Sequence, residues 1–319
     1  MRIGIVGCSI NGGYLAYRLA KEGNEVTVFE RKPAIGNKPC SGLISERLWK
    51  FLPRDDSLIE NEIEFVKIHF PKKTVSVKFR QKMFANNRHS LDNYVAKLAA
   101  DAGAKILIGM PVEEINVERT ETFSNGKRFQ FDLIVGCDGS QSVVRKSLGL
   151  KEPRYRMGIY IYTSEKGSQD FVDAWPTANG FFWKIPRGDH AEWGLIDEPK
   201  TSPATFDKFL KESGVEKSKV FSTIIPEGPI VSGRKNIVLC GDAAGLTKPW
   251  SGGGIIWGMT AADKLIENLD NLERYNKFVK NFFGRKIKFS RMQTKLVGKF
   301  GKFLPKNFPI AFDADFGFL

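Results

Sequence analysis

Residues 2–30 read RIGIVGCSINGGYLAYRLAKEGNEVTVFE, and this stretch decides the fold. Residues 2–7 are an apolar run of strand length, Gly12 to Glu22 has helical spacing, and Glu25 to Glu30 returns to a strand. Strand, helix and strand in so short a span make a βαβ unit, the opening of a parallel sheet. At the first strand–helix turn stands Gly7-Cys8-Ser9-Ile10-Asn11-Gly12, a GxGxxG pattern with Ser9 in its middle position. The first glycine permits the tight turn and the last lets helix pack on strand. The middle one normally lets backbone approach a pyrophosphate at the helix N-terminus. Ser9 puts a Cβ there and offers a hydroxyl in return. Glu30 closes the second strand, where a carboxylate accepts hydrogen bonds from ribose hydroxyls. Gly7, Ser9, Gly12 and Glu30 are therefore candidate nucleotide-binding positions, although the element alone also reads as a glycine-rich turn.

Beyond residue 58 the period changes. Glu64 to Phe70 and Thr74 to Phe79 alternate apolar and polar residues around Pro71-Lys72-Lys73, the pattern of an antiparallel hairpin. Residues 90–102 read as a helix with Ser90 as N-cap and Gly103 just past its end. Ser124-Asn125-Gly126 marks a tight turn between runs at Ile115–Phe123 and Arg128–Val135. From 155 to 230 short aromatic-rich strands return, with one helix near 203–213; a buried strand at 236–241 and a helix at 253–269 follow. The expected fold class is α/β. A Rossmann-like nucleotide-binding domain comes in three pieces, 1–58, 85–154 and 231–270. An inserted antiparallel β-sheet domain takes 59–84 and 155–230, and 271–319 is a basic helical C-terminal segment.

Two later stretches repeat the strand-then-glycine character. Residues 132–145 (DLIVGCDGSQSVVR) end a buried strand in Cys137-Asp138-Gly139, with Ser140 and Ser142 available as helix caps. Residues 237–254 (IVLCGDAAGLTKPWSGGG) end another in Gly241-Asp242. Their triple glycine precedes a helix, where backbone N–H groups can approach a flat ring or an anion. Singly, these are a turn and a capped loop. In order and spacing they resemble the FAD-binding fingerprint of the p-hydroxybenzoate hydroxylase-like flavoproteins. That fingerprint is GxGxxG, an Arg before a helix (Arg88), GxDGxxSxVR (Gly136–Arg145) and GDAAGxxxPxxGGG (Gly241–Gly254). The resemblance implies FAD, with Asp242 on its ribityl and phosphate region and Gly252, Gly253 and Gly254 along the isoalloxazine. It also implies that Asp138 and Gly139 shape the cradle. Arg31, Arg88, Val112 and Gly241 join them as expected cofactor-binding positions. Arg145 reads either as a solvated helix charge or as a functional group.

Lys38-Pro39-Cys40-Ser41-Gly42 and Phe181-Phe182-Trp183-Lys184-Ile185-Pro186, with Gly194 beyond, narrow the resemblance. They are similar to the KPCxG segment and the YxWxFPx(7)G motif of the geranylgeranyl reductase family. That family saturates isoprenoid double bonds, including those of archaeal membrane lipids. Phe181 stands for the family's Tyr and Ile185 for its Phe, and the chain looks shorter at its C-terminus than typical members, so a remodelled substrate pocket is expected. The resemblance implies an FAD-dependent reductase of polyprenyl lipids or prenyl diphosphates. Its electrons would come from NAD(P)H or a small electron-transfer protein, since no second GxGxxG supplies a nicotinamide domain. An isolated trisubstituted alkene resists hydride, so a proton must accompany it, and aromatic faces in a dry tunnel would stabilise the developing cation. On a strand Phe181 and Trp183 share one face and Phe182 takes the other. Phe181, Trp183 and Trp250 are candidate substrate contacts; ordinary sheet core is the other reading. Cys40 is the candidate catalytic and substrate-side residue, with a buried structural thiol as its alternative and ordered water as the other proton source. His69, His89 and His190 are isolated and read as surface or strand residues. An FAD monooxygenase on an aromatic or apolar substrate and a non-enzymatic flavin carrier remain open on the same scaffold.

Composition bounds the rest. The 319 residues are 42% hydrophobic and 27% charged, which excludes a disordered or fibrous chain. No apolar run approaches the roughly 18 residues that span a bilayer. Cys8, Cys40, Cys137 and Cys240 are too scattered for a zinc or iron–sulfur site. Met1 to Gly7 reaches glycine before a signal-peptide core forms, so the expected location is cytoplasmic. The net charge is +13, and most of it sits in 271–306, where eleven Lys/Arg meet one acid, Glu273. Phe278, Phe282, Phe289, Leu296, Phe300 and Phe303 are interleaved with these bases. No nucleic-acid-binding motif accompanies them, so nucleic acid is not an expected partner. The segment is expected either as a peripheral contact with an anionic membrane or as a solvated basic helix packed on the FAD domain.

Overall fold

The computed structural model describes residues 1–36 and 38–317, apart from the side chains of 295 and 297–299. Lys295 and Lys299, two of the tail's bases, thus lie outside the described side chains. The opening unit forms as a strand Arg2–Val6, a helix Ile10–Lys21 and a strand Glu25–Glu30. With parallel neighbours on both sides they build a five-stranded sheet, in the order 237–239, 133–136, 2–6, 25–30 and 105–108. The central strand 2–6 and the edge strand 237–239 are both buried almost throughout, which is why 2–7 and 236–241 read as unbroken apolar runs. The helix Ile10–Lys21 packs against the helices Arg88–Asp101 and Ile255–Ile266.

The second sheet has eight strands, in the order 221–227, 154–163, 191–197, 181–186, 171–176, 59–70, 73–86 and 43–45. The two β-rich stretches therefore merge into one sheet. The seam between them is parallel rather than antiparallel, Phe171–Ala174 running alongside Phe65–Ile68. The other pairings are antiparallel. Leu43–Ser45, numbered with the nucleotide-binding part, adds the edge strand of this sheet instead.

Three local expectations change. The run Ile115–Phe123 is broken because Thr120, at φ 55, turns the chain between strands Glu114–Asn116 and Glu121–Ser124. The run Arg128–Val135 also divides: Lys127–Gln130 completes a small three-stranded sheet, and Leu133–Gly136 enters the parallel one. Phe131 at the break is itself buried, its ring filling the space over Gly4, so the apolar pattern runs straight through the border. The helix after the long hairpin starts at Arg88 and is capped by Asn87, whose side-chain oxygen accepts from the Ser90 N–H at 3.0 Å. Ser90 receives the cap rather than making it.

The tail differs most. Leu272–Phe278, a π-turn at Val279–Phe283 and Gly284–Phe300 follow one another as a helical stretch. Tyr275, Val279, Phe283 and Ile287 are buried in the main core, and Tyr275 donates to the Leu239 carbonyl at 2.7 Å. The inner side of this stretch thus packs on the part built around the parallel sheet. Residues 304–317 then run back along 73–86, bridged at Ser76–Asn307 and Phe79–Phe312. They end in a charged latch in which Arg47 holds Asp313 and Asp315, and Lys248 holds Asp315 at 3.1 Å. Among the described residues no helix is long and apolar enough to cross a membrane.

Candidate active site

The carboxyl ends of the parallel strands enclose a cavity of about 320 Å³ that Gly7, Ser9, Glu30, Arg31, Val112 and Asp138-Gly139 help to wall. Gly7 sits at φ 99, and a Cβ there would stand 2.5 Å from the Cys137 carbonyl oxygen. At Gly12 a Cβ would meet the Gly7 carbonyl at 2.0 Å, so this glycine seats the helix on the strand and does not wall the cavity. Ser9 precedes the helix without a side-chain cap, leaving first-turn N–H groups for an anion. Glu30 accepts the Cys8 N–H at 3.0 Å and the Lys32 N–H at 2.9 Å, one on each oxygen, so each keeps a lone pair for a hydroxyl. Asp138 accepts from the Ser142 hydroxyl at 2.5 Å and the Val144 N–H at 3.1 Å, while Ser142 caps the Arg145 N–H. Arg145 is fully buried and binds the Ala243 carbonyl at 3.0 Å. It is neither solvated nor at the ligand; it clamps the Gly241–Ala244 turn to the helix.

Between the two sheets lies a larger cavity of about 490 Å³, and Ser9, Lys38, Pro39 and Thr223 wall both spaces. Asp242, Gly252, Gly253 and Gly254 line its near end; Gly241, at φ 60, lies against Asn11 and lines neither space. The Lys38 ammonium lies 2.7 Å from Asp242. Gly252 needs its φ of 68, and a Cβ on Gly254 would crowd Asp242 at 2.8 Å. The helix behind them, Ile255–Ile266, has no side-chain cap. Trp250 also lines the cavity, its indole N–H donating to the Ala314 carbonyl at 3.1 Å.

Phe181 and Trp183 do share the cavity-facing side of their strand, ring centroids 5.9 Å apart. Phe182 points the other way and stacks on Phe209 at 3.7 Å. Across the sheet Trp183 pairs with Gly194, where a Cβ would collide with the indole at 2.2 Å. The indole N–H donates to the buried carboxylate of Glu192 at 2.8 Å, which also takes Arg187 at 2.9 Å.

Cys40 lines the same cavity, half-buried, its sulfur accepting the Gly42 N–H at 3.5 Å. Arg88 is buried and pairs with Asp92 at 2.8 Å. Arg88 lines the larger space and Asp92 the smaller one. The Tyr160 phenol lines the cavity too, and burial pushes its ionisation well up, with Tyr162 and Glu192 adding to it. The three other thiols are buried, and two of them, Cys8 and Cys137, are held protonated. Burial and the charge of Glu30 push Cys8 up to about 12, and a hydrogen bond with Cys240 together with burial pushes Cys137 up.

Tyr160 and the Lys248–Asp315 pair also line the cavity, and nothing in their local sequence marks them. Tyr160 is one aromatic among many in an alternating strand. Asp315 arrives only because the tail returns to the sheet. Phe308 and Phe312 come the same way, on a bridged strap beyond Phe303 where the helical segment is expected to continue.

Buried polar atoms test whether a flavin dinucleotide fits. The Arg88 Nε, Asp92 Oδ2 and Asn11 Oδ1 have no hydrogen-bond partner among the described residues, and all three residues line one of the two joined cavities. Glycines that admit no Cβ, two uncapped helix N-termini and these polar atoms form one elongated, polar-then-apolar cradle. Its donor set fits FAD.

Residues 5–38 match the family described as an NAD(P)-binding Rossmann-like domain. An uncharacterized protein of Methanosarcina barkeri is 24% identical over 99% of this chain and 86% of its own. A digeranylgeranylglycerophospholipid reductase of Methanocella arvoryzae is 25% identical over 89% of this chain and 83% of its own. A kynurenine 3-monooxygenase of Christiangramia forsetii is 27% identical over a smaller share, 66% of this chain and 54% of its own. Among solved structures, a geranylgeranyl bacteriochlorophyll reductase-like protein from Thermoplasma acidophilum superposes with a TM-score of 0.79 at 19% identity, covering 93% of this chain and 86% of that one. The resemblance to geranylgeranyl reductases is borne out, as are the α/β class, the FAD cofactor and the enzyme class, an FAD-dependent oxidoreductase.

Proposed function

We propose that this enzyme saturates isoprenoid double bonds of polyprenyl lipids or prenyl diphosphates. One observation carries the reading: the nucleotide cradle opens, past Ser9, Lys38 and Pro39, into a large cavity walled by Phe181, Trp183, Ile185 and other apolar side chains. An unactivated alkene chain needs such a wall; a polar substrate does not. In this reading the eight-stranded sheet is the substrate part and the five-stranded sheet the cofactor part. Asp242 and Glu30 would hold hydroxyls of the dinucleotide, and Gly252–Gly254 would hold its ring end. FAD bound there supplies the hydride. Phe181 and Trp183 present π faces to the cation that develops on the alkene, and the apolar wall around them limits the water that could trap it. Cys40 and Tyr160 both line the cavity as its proposed proton donors, the phenol held neutral by burial. Electrons arrive from NAD(P)H or a small electron-transfer protein, and the basic tail is the proposed side of peripheral membrane contact.

The test is anaerobic incubation of the reduced protein with a geranylgeranyl lipid, read by mass spectrometry. A gain of two hydrogens per double bond is expected. Oxygen-dependent gain of an oxygen atom would replace the reading with a monooxygenase, to which the kynurenine 3-monooxygenase likeness points. Unchanged lipid under both conditions would leave a flavin carrier.

A further inference from the structure

We infer that the outer side of the helix Gly284–Phe300, with the turn after it, docks on an anionic lipid bilayer and that the substrate chain enters the cavity from there. The route rests on the isoprenoid reading above; the docking does not. Arg285, Lys288, Met292 and Leu296 recur at three- and four-residue spacing and so share one side of the helix. All four are exposed, Met292 at 52% and Leu296 at 48%. Phe303, 72% exposed, and Ile310, 54%, prolong the apolar strip, with exposed Lys302 and Lys306 beside it. No acid occurs between residues 284 and 311. The other side of the same helix belongs to the cavity, which Ser290, Gln293 and Thr294 line together with Leu304 and Phe308 just beyond.

One helix thus has the apolar cavity at its back and a basic, apolar strip at its front. Exposed apolar side chains flanked by cations match the headgroup boundary of a bilayer: the apolar groups enter the acyl edge while ammonium and guanidinium groups meet lipid phosphates. A chain that is insoluble in water can then pass from bilayer to cavity without crossing solvent. The contact is narrower than the whole basic segment, because Tyr275, Val279 and Phe283 face the core.

Co-sedimentation of the full FAD-loaded protein with phosphatidylglycerol and phosphatidylcholine vesicles tests this. Binding to phosphatidylglycerol that weakens with salt is expected, with little to phosphatidylcholine. The Leu296→Glu/Phe303→Glu double variant is expected to bind on the order of tenfold more weakly or less. Its melting temperature, FAD affinity and turnover of a detergent-dispersed isoprenoid should be unchanged. No binding by the natural protein, undiminished binding by the variant, or a self-associated dimer that the same variant dissolves would each overturn the docking. Docking without any hydrogen gain in the lipid would instead remove the reductase reading and leave the surface standing.

Discussion

Trp183 lies flat against the neighbouring strand because residue 194 has no side chain. Gly194→Ala would set a Cβ 2.2 Å from the ring and drive it into the cavity. We expect a stability cost of about 1–3 kcal/mol and a larger loss in isoprenoid kcat/KM than in FAD affinity. Melting curves, flavin-fluorescence titration and steady-state rates separate these; equal losses in binding and turnover would refute the local account. The pair Phe181 and Trp183 was legible from strand alternation, and the glycines of the cradle from their spacing after apolar runs. Arg145 was not, because the Ala243 carbonyl it clamps comes from a distant segment that only the fold brings to it. Tyr160 escaped because it is one aromatic among many in an alternating strand, and only the fold puts it on the cavity wall.

Two elements allow sharper tests. The helix that carries Arg88 begins at Asn87, so Asn87→Ala is expected to cost about 1 kcal/mol and Ser90→Ala only a few tenths. Urea unfolding of the two variants checks this, and the reverse order would restore Ser90 as the cap. Asn87 and Ser90 are both good capping residues, so sequence alone chose between them only by the apparent start of the apolar period. The returning strap, residues 304–317, is held by carboxylates. Burial works against ionisation of Asp313, but Arg47 and two backbone N–H groups outweigh it and hold its carboxyl at about 2. Its ordinary value is about 3.9. The folded state therefore prefers the ionised form, and this stabilisation is complete above about pH 4 and lost as pH falls through about 2. Hydrogen exchange should show the Phe308 and Phe312 amides losing protection in that window before those of 2–6; simultaneous loss would mean the latch contributes nothing separate.

At the scale of the molecule, the order of βαβ pieces and β-rich interruptions already implied two sheets of different kinds. What stayed hidden was how they meet. No local pattern announces that a tail rich in Lys and Phe turns Tyr275 and Phe283 into the core while leaving Phe303 outside, or that 171–176 chooses 59–70 as a parallel neighbour. That seam also bears on how the chain folds. Its hydrogen bonds form only after the loop between residues 68 and 171 has closed, and entropy is spent on that closure before any bond repays it. Parallel pairings of this span form slowly, on the order of milliseconds to seconds. Until then the strand bearing Val66 and Ile68 is an open edge that a second nascent chain can pair with. Aggregation during refolding should thus begin at the very strand that later walls the cavity.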